Sequence, residues 1–203
     1  MGAVDVVPFV PVRGATMKDC VALARRVGQE VASRFKLPVY LYEEAASSEL
    51  RRNLAEIRKP EWAPDFGPAE VHPSGGVVAV GARPFLIAYN VNLATAELSI
   101  ADRIAKAIRH SSGGYRYVKA MGVALEKRGI AQVSINMTDF RRTPLHRVFE
   151  TIRSEAARYG VEIVGSEIVG LVPQDALLAA AEHYLRIEEF SPDLVLENRL
   201  EED

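Results

Sequence analysis

Two short segments of the sequence, 85–93 and 131–137, place amide or hydroxyl side chains on alternate positions, at 90 and 92 in the first and at 132, 134 and 136 in the second, with apolar residues between them. Side chains of a strand point alternately to opposite faces, so each segment predicts a strand with one polar and one apolar face. We call these side chains together the polar face: Asn90, Asn92, Gln132, Ser134 and Asn136. Neutral donors and acceptors on one surface could bind a polar heteroaromatic ligand. The alternative is a sheet face that is simply in contact with water.

A second candidate site is a segment rich in proline and glycine, residues 62–76, which contains His72. This composition does not favour a regular helix or strand, but its aromatic and apolar residues argue against a disordered linker. We therefore expect an ordered loop, a common location for ligand binding. An imidazole there could carry a proton, although histidines in surface loops commonly have no function.

Arg51 and Arg52 are a third candidate, in a helix predicted over 47–57. Each guanidinium offers a planar fork of donors, so the pair could clamp a dicarboxylate. Adjacent charges on a helix are more commonly a solvated face. Both interpretations stay open at this point.

The elements that must position these residues differ between the two halves of the chain. In the first half, a strand over 4–12 contains two prolines and should lie at a sheet edge or end early. An amphipathic helix is expected from Thr16 to just before Leu37, followed by a short strand over 39–42.

From residue 85 to residue 168 the pattern predicts the order βαββαβ. Strands are expected over 85–93, 115–125, 130–137 and 161–168, and helices over 97–109, 143–160 and, last, 174–187. This is the order of the ferredoxin-like unit; we expect a mixed sheet in which the first and third strands are neighbours. The polar face would then form one surface and the helices would cover the other. The predicted fold class is α/β, in the broader sense that includes α+β.

Composition and charge exclude several classes of protein. Lys and Arg number 25 against 27 Asp and Glu, a net charge of −2, and the basic residues are scattered, so no nucleic-acid partner is expected. No run approaches the ~18 apolar residues of a membrane helix, and the N-terminus does not resemble a secretory signal, so we expect a cytoplasmic protein without membrane contact. Cys20 is the single cysteine, and no metal site is expected.

Several long segments resemble the formiminotransferase family. The strings that carry the resemblance are MGAVDVVPFVPVRG, PVYLYEEA, WAPDFGPAEVHPSGG, GARPFLIAYNVNL, KAMGVALEKRGIAQVSINMTDF, TPLHRVFE and VEIVGSEIVGLVP. They cover nearly the whole chain. The resemblance implies two α/β subdomains with facing sheets, with residues 1–82 as the remainder of the N-terminal subdomain and residues 83–203 as the C-terminal subdomain.

The resemblance also implies an activity, the transfer of a formimino group from N-formimino-L-glutamate to tetrahydrofolate, the co-substrate, in histidine degradation. Close relatives transfer a formyl group instead. The family's folate-binding loop corresponds here to Gly67, Pro68, Ala69, Glu70, Val71, His72, Pro73, Ser74, Gly75 and Gly76. Folate lies in a tunnel between the subdomains, and we expect the polar face to form its wall. Arg83, Arg51 and Arg52 are candidates for the glutamate carboxylates, and the family suggests a homodimer.

One part of the family pattern is absent at the N-terminus. In the family, His-Pro-Arg directly precedes the Met-Gly-Ala motif, and its histidine is the catalytic acid and base. Here the motif begins at Met1, so we expect no catalytic residue in this chain, and nothing in the sequence positions His72 to replace it. A positioned general acid or base contributes ~10² to 10⁴ in rate.

Three explanations for this departure stay open: a start assigned to an internal methionine, a partner chain that supplies the missing half, or a remnant that binds folate or a partner without turnover. The shortened N-terminal subdomain would retain two strands. Its unpaired edge, with Val4, Val6 and Phe9, should then associate with another polypeptide or aggregate.

Overall fold

The computed structural model describes residues 2–59 and 62–200. Met1, the first residue of the matched Met-Gly-Ala motif, lies outside the described residues. The polypeptide forms two compact units, Met1–Phe85 and Leu86–Asp203. Within the described ranges, no helix is long and apolar enough to cross a membrane.

The described residues of the first unit form three strands and two α-helices. They are β1 (Val6–Phe9), α1 (Met17–Phe35), β2 (Val39–Glu43), α2 (Leu54–Ile57) and β3 (Val78–Ala82). The strands form a parallel sheet in the order β1-β3-β2. Helix α1 packs on one face of this sheet and α2 on the other. Strand β1 lies at an edge and is shorter than the predicted segment, as its prolines indicate.

Strand β3 corrects the expectation of a two-stranded remnant. All five of its residues are buried, because it is the central strand and both of its faces are covered. Its sequence, VAVGA, therefore does not alternate between polar and apolar residues, and periodicity gives no signal for it. The third strand gives this unit a core of its own.

Helix α1 is confirmed at both ends. The Thr16 side chain accepts a hydrogen bond from the Asp19 amide while the Asp19 carboxylate accepts from the Thr16 amide, which is a capping box. The helix ends at Lys36, whose backbone is left-handed (φ 55°), two residues before Pro38. Small side chains form its buried stripe, so that it can approach the sheet closely.

The prediction of one continuous helix over 47–57 is wrong. The structure has a single 3₁₀ turn at Glu49–Arg51 and then the four-residue helix α2. The interruption is at Asn53, whose side chain accepts a hydrogen bond from the Ala55 amide at 3.1 Å and so starts a new helix.

Up to residue 200, where the described part of the chain ends, the second unit forms four strands and four α-helices. They are β4 (Ile87–Leu93), α3 (Leu98–Ile108), β5 (Val118–Leu125), β6 (Ile130–Met137), α4 (Leu145–Ala157), β7 (Ile163–Val169), α5 (Gln174–Leu185) and α6 (Leu196–Leu200). The strand order β5-β6-β4-β7 confirms the ferredoxin-like arrangement. The expectation of a mixed sheet is wrong, because all three strand pairings in this sheet are antiparallel. Strands β4 and β5 run in the same direction, but β6 lies between them.

The core of this unit lies between the sheet and helices α3 and α4. The apolar positions of β4 and β6 face the helices, and those strands contribute Ile87, Val91, Leu93, Val133, Ile135 and Met137, all nearly or fully buried. Each such side chain contributes roughly 1.5–3 kcal/mol through burial. The apolar surface predicted from alternation is therefore confirmed as the core surface, which leaves the polar side chains on the opposite surface.

Candidate functional site

The start of the 67–76 loop is fixed to strand β2. The Val39 amide donates to the Phe66 carbonyl at 2.9 Å, and the Asp65 amide donates to the Val39 carbonyl at 2.8 Å. The Asp65 carboxylate accepts from the Leu41 amide at 2.7 Å and from the Arg51 guanidinium at 2.6 Å. These bonds hold the chain in place directly before Gly67.

His72 closes a tight turn at the other end of the loop. The backbones of His72 and Gly76 exchange two hydrogen bonds, and Nδ1 of the ring accepts from the Gly75 amide at 3.0 Å and the Ser74 amide at 3.3 Å. Because Nδ1 acts as an acceptor, the neutral ring carries its proton on Nε2. Of the two ring nitrogens, Nε2 is the one left to form a hydrogen bond with a ligand.

Glycine is required at one point of this loop and at one point of the segment beside it. Gly67 has φ +88°, and a Cβ atom there would lie 2.4 Å from the Leu37 carbonyl oxygen. Residues of the Met-Gly-Ala motif run beside the loop: the Ala3 amide donates to the Gly75 carbonyl at 3.0 Å, and a Cβ on Gly2 would lie 1.8 Å from the same oxygen. Close backbone contact explains the glycines at both places.

Between these two anchors the loop backbone is open. The amides of Ala69, Glu70 and Val71 donate to no acceptor among the described residues, and all three residues are exposed. Unpaired amides at an ordered, anchored segment can bind anionic or carbonyl oxygens of a ligand. The loop therefore has the chemistry of a binding segment.

The structure brings the five side chains of the polar face together. In the β4–β6 register, Asn90 lies opposite Ser134 and Asn92 opposite Gln132, while Asn136 lies opposite Ala88. Asn92 and Gln132 are buried, with 5% of each exposed. The predicted convergence is confirmed; the ligand for this face stays a prediction.

Sequence reasoning missed Glu167, which stands beside Asn90 on the neighbouring strand β7. Its Oε1 atom accepts from Asn90 Nδ2 at 3.1 Å and from Gln132 Nε2 at 2.9 Å, and Gln132 Nε2 also donates to Asn92 Oδ1 at 2.8 Å. The face that we expected to be neutral thus contains a carboxylate. Alternation within β7 could have found it, because Gly165, Glu167 and Val169 share one face.

The carboxylate of Glu167 is held in its charged form. The hydrogen bonds from Asn90 and Gln132 lower its pKa below the ordinary value, Arg128 lowers it further, and slight desolvation opposes them. Glu167 forms no ion pair with a cation among the described residues. Its charge is therefore stabilised chiefly by neutral amides.

Arg51 and Arg52 face different partners in spite of their adjacency. Arg51 is 12% exposed and bonds to Asp65, which is 8% exposed, and its guanidinium lies 5.6 Å from the Trp62 ring centroid. Arg52 is half-exposed and forms ion pairs with Glu44 and Glu49. Both guanidinium groups are thus bound to carboxylates of this chain, and they do not form a joint clamp.

Arg83 differs from that pair because no carboxylate of the described residues neutralises it. Its Nη1 atom donates to the Pro84 carbonyl at 3.1 Å. It also lies beside the buried hydroxyl of Tyr42, whose pKa is raised by burial and lowered in part by Arg83. Because no carboxylate of the described residues pairs with Arg83, a ligand carboxylate could use its charge.

The second unit also has an apolar cleft of about 380 Å³ between β7, α4 and α5. His146 lines it and stacks on His183, with ring centroids 4.2 Å apart. Burial and the adjacent His183 lower the pKa of His146, and its buried Nδ1 atom has no partner among the described residues. Burial, with a hydrogen bond to Glu150, raises the pKa of Tyr184 to about 12.

Residues 2–59 and 62–200 contain no group of three or more His, Cys, Asp or Glu side chains arranged to hold a metal ion. Each unit therefore has its own candidate binding residues: the 67–76 loop with Arg83 in the first, and the polar face with Glu167 in the second.

Comparison with known proteins gives a consistent result over both units. Residues 88–199 match the model described as the formiminotransferase domain, and residues 1–83 match its N-terminal subdomain. Glutamate formimidoyltransferase from Streptococcus pyogenes serotype M1 is 49% identical over 98% of this chain and 71% of its own length. The protein of the same name from Thermoplasma acidophilum is 45% identical over 98% of this chain and 70% of its own length.

A bifunctional protein is also similar. Formimidoyltransferase-cyclodeaminase from Gallus gallus is 45% identical over 93% of this chain, which corresponds to 38% of its own length. Since both subdomain models match and the first two relatives are covered over more than two thirds of their length, the chain belongs to the formiminotransferase family of enzymes.

Proposed function

We propose that this chain acts in the transfer of a formimino group from N-formimino-L-glutamate to N5 of tetrahydrofolate, a step of histidine degradation. The observation that carries the proposal is the 49% identity, over 98% of the chain, to a protein named glutamate formimidoyltransferase. Tetrahydrofolate is a co-substrate in this proposal, and no metal takes part.

The proposed reaction requires that two reactants be held together and that a proton reach the leaving nitrogen. N5 attacks the amidine carbon, a tetrahedral intermediate forms, and the bond to the glutamate nitrogen breaks once a proton has reached that nitrogen. We assign binding and orientation to the residues of this chain, because precise placement of two reactants removes much of the entropic cost of their reaction. We assign no acid or base among them.

Each of these candidate residues suits one part of these ligands. The open amides of the 67–76 loop suit carbonyl and carboxylate oxygens of folate, and glycine allows the backbone to approach the ligand closely. The polar face suits the heterocycle. Arg83, which pairs with no carboxylate of the described residues, suits a carboxylate of the glutamate.

The test uses the purified chain and measures binding and turnover separately. Binding of folinate, a stable reduced folate, is measured by calorimetry. Turnover is followed as glutamate release from N-formimino-L-glutamate with tetrahydrofolate, and in parallel from N-formyl-L-glutamate. Binding with release from the formimino donor supports the proposal. Release from the formyl donor alone would identify a formyltransferase, binding without release a folate-binding module, and the absence of binding would contradict the proposal.

We further propose, from the family resemblance, that the protein is a cytoplasmic homodimer. Light scattering coupled to size-exclusion chromatography measures the mass of the particle directly. A mass near 22.3 kDa would contradict the dimer.

A further inference from the structure

The hydrogen bonds around Glu167 leave several acceptor atoms without partners. A carboxylate can only accept, so the amide groups of Asn90 and Gln132 must turn their NH₂ groups toward it. Their oxygens, Asn90 Oδ1 and Gln132 Oε1, then point elsewhere and accept no hydrogen bond among the described residues, and neither does Glu167 Oε2. The result is a group of acceptors on three adjacent strands.

The supporting side chains fix this group in position. Gln132 is 5% exposed and bonds to both Asn92 and Glu167, so its rotamer is restrained from two sides. The restraint reaches Glu167, which is itself exposed, through Oε1. A carboxylate held by buried neighbours loses little side-chain entropy when it binds a ligand.

The chemistry that fits this arrangement is a planar edge with two adjacent N–H donors. Glu167 Oε1 already accepts two hydrogen bonds, so Oε2 would accept from one of these donors and a neighbouring amide oxygen, Asn90 Oδ1 or Gln132 Oε1, from the other. A purely structural carboxylate would be expected to face a cation of the chain, and Glu167 forms no ion pair among the described residues.

We propose that Glu167 is a specificity-determining residue that binds an amidine-type or guanidine-type edge of a substrate, with Asn90 and Gln132 as positioning residues. This inference rests on the proposed function, which supplies two ligands with that chemistry. One is the 2-amino pyrimidinone edge of the pterin ring of tetrahydrofolate, and the other is the formimino group of N-formimino-L-glutamate.

The test compares the unaltered chain with Glu167→Gln, which keeps the size of the side chain but replaces one acceptor oxygen by a donor. The probes are folinate, a folinate analogue that lacks the 2-amino group, and N-formimino-L-glutamate. We expect a roughly tenfold to hundredfold loss of affinity for the ligand that Glu167 binds, the effect of losing hydrogen bonds to a charged group. Glu126→Gln, on the exposed β5–β6 turn, removes the same charge elsewhere in the unit and should change nothing.

The outcomes separate the two ligands and the two proposals. Loss for folinate with unchanged binding of the analogue identifies the pterin edge, and loss for N-formimino-L-glutamate identifies the formimino group. Equal affinities in the variant and the unaltered chain would overturn the inference and leave the proposed function standing, and an equal loss for folinate and its analogue would overturn the pterin assignment. If the unaltered chain binds none of the probes, both proposals fail. The melting temperature of the variant checks that it folds.

Discussion

At the scale of single residues, a structural role of His72 in the loop can be separated by experiment from a chemical role of its imidazole. Its Nδ1 atom holds the turn of the 67–76 loop by accepting from the Gly75 and Ser74 amides. His72→Asn places an amide oxygen near the position of Nδ1 and should keep folinate affinity, whereas His72→Ala should weaken it and lower the free energy of unfolding by about 1 kcal/mol. Calorimetry and denaturant unfolding measure the two quantities. If the Asn and Ala variants are equally impaired, the imidazole itself is required.

Gly67 and Gly14 allow a matched comparison of how much stability is lost when glycine is replaced by alanine. Both have positive φ, +88° and +74°, but a Cβ on Gly67 would lie 2.4 Å from the Leu37 carbonyl oxygen, while Gly14 has nothing within 4 Å. Gly14→Ala should cost about 1 kcal/mol for its backbone conformation. Gly67→Ala should cost more and reduce folinate binding, because the loop must shift. Equal costs in urea unfolding would show that the loop accommodates the side chain without strain.

At the scale of elements, the sequence predicts those segments in which burial and periodicity agree. Strand β6 is found at the predicted residues, and the polar face follows directly from alternation in β4 and β6. Strand β3 was missed because burial on both faces removes alternation, and the helix over 47–57 was wrong because a local cap at Asn53 outweighs its helical pattern. Alternation in β7 places Glu167 on one face with Gly165 and Val169, but its hydrogen bonds to Asn90 and Gln132 depend on strand pairing across 77 and 35 residues.

Arg51 and Arg52 show how solvent exposure determines the contribution of an ion pair to stability. Arg51 and Asp65 are largely shielded from solvent, so Arg51→Gln leaves a mostly shielded carboxylate without its cation and should cost up to about 3–5 kcal/mol. Arg52→Gln breaks half-exposed pairs and should cost less than about 1 kcal/mol. Urea unfolding of both variants gives the comparison. Similar costs would mean that Asp65 is satisfied by the Leu41 amide alone.

At the scale of the whole molecule, stability should depend on pH through the packing of α5 on α4. Burial, His183 and Arg147 lower the pKa of His146 below its ordinary value of 6.5, and Glu182 and Glu150 oppose them only in part. Between about pH 6.5 and the lowered pKa of the folded state, the unfolded chain therefore binds more protons at His146 than the folded chain does. The sign follows from linkage: the free energy of unfolding is highest above about pH 6.5 and falls as the pH drops toward the folded value of His146.

The variant His146→Gln isolates this contribution. A neutral side chain that does not titrate should flatten the fall in unfolding free energy between about pH 7 and pH 5, because the ordinary pKa values of carboxyl groups lie lower and Glu167 is shifted lower still. Urea unfolding of both proteins at several pH values gives the two slopes. Identical slopes would show that His146 is protonated as easily in the fold as in the unfolded chain, and that the stacked pair does not resist acid.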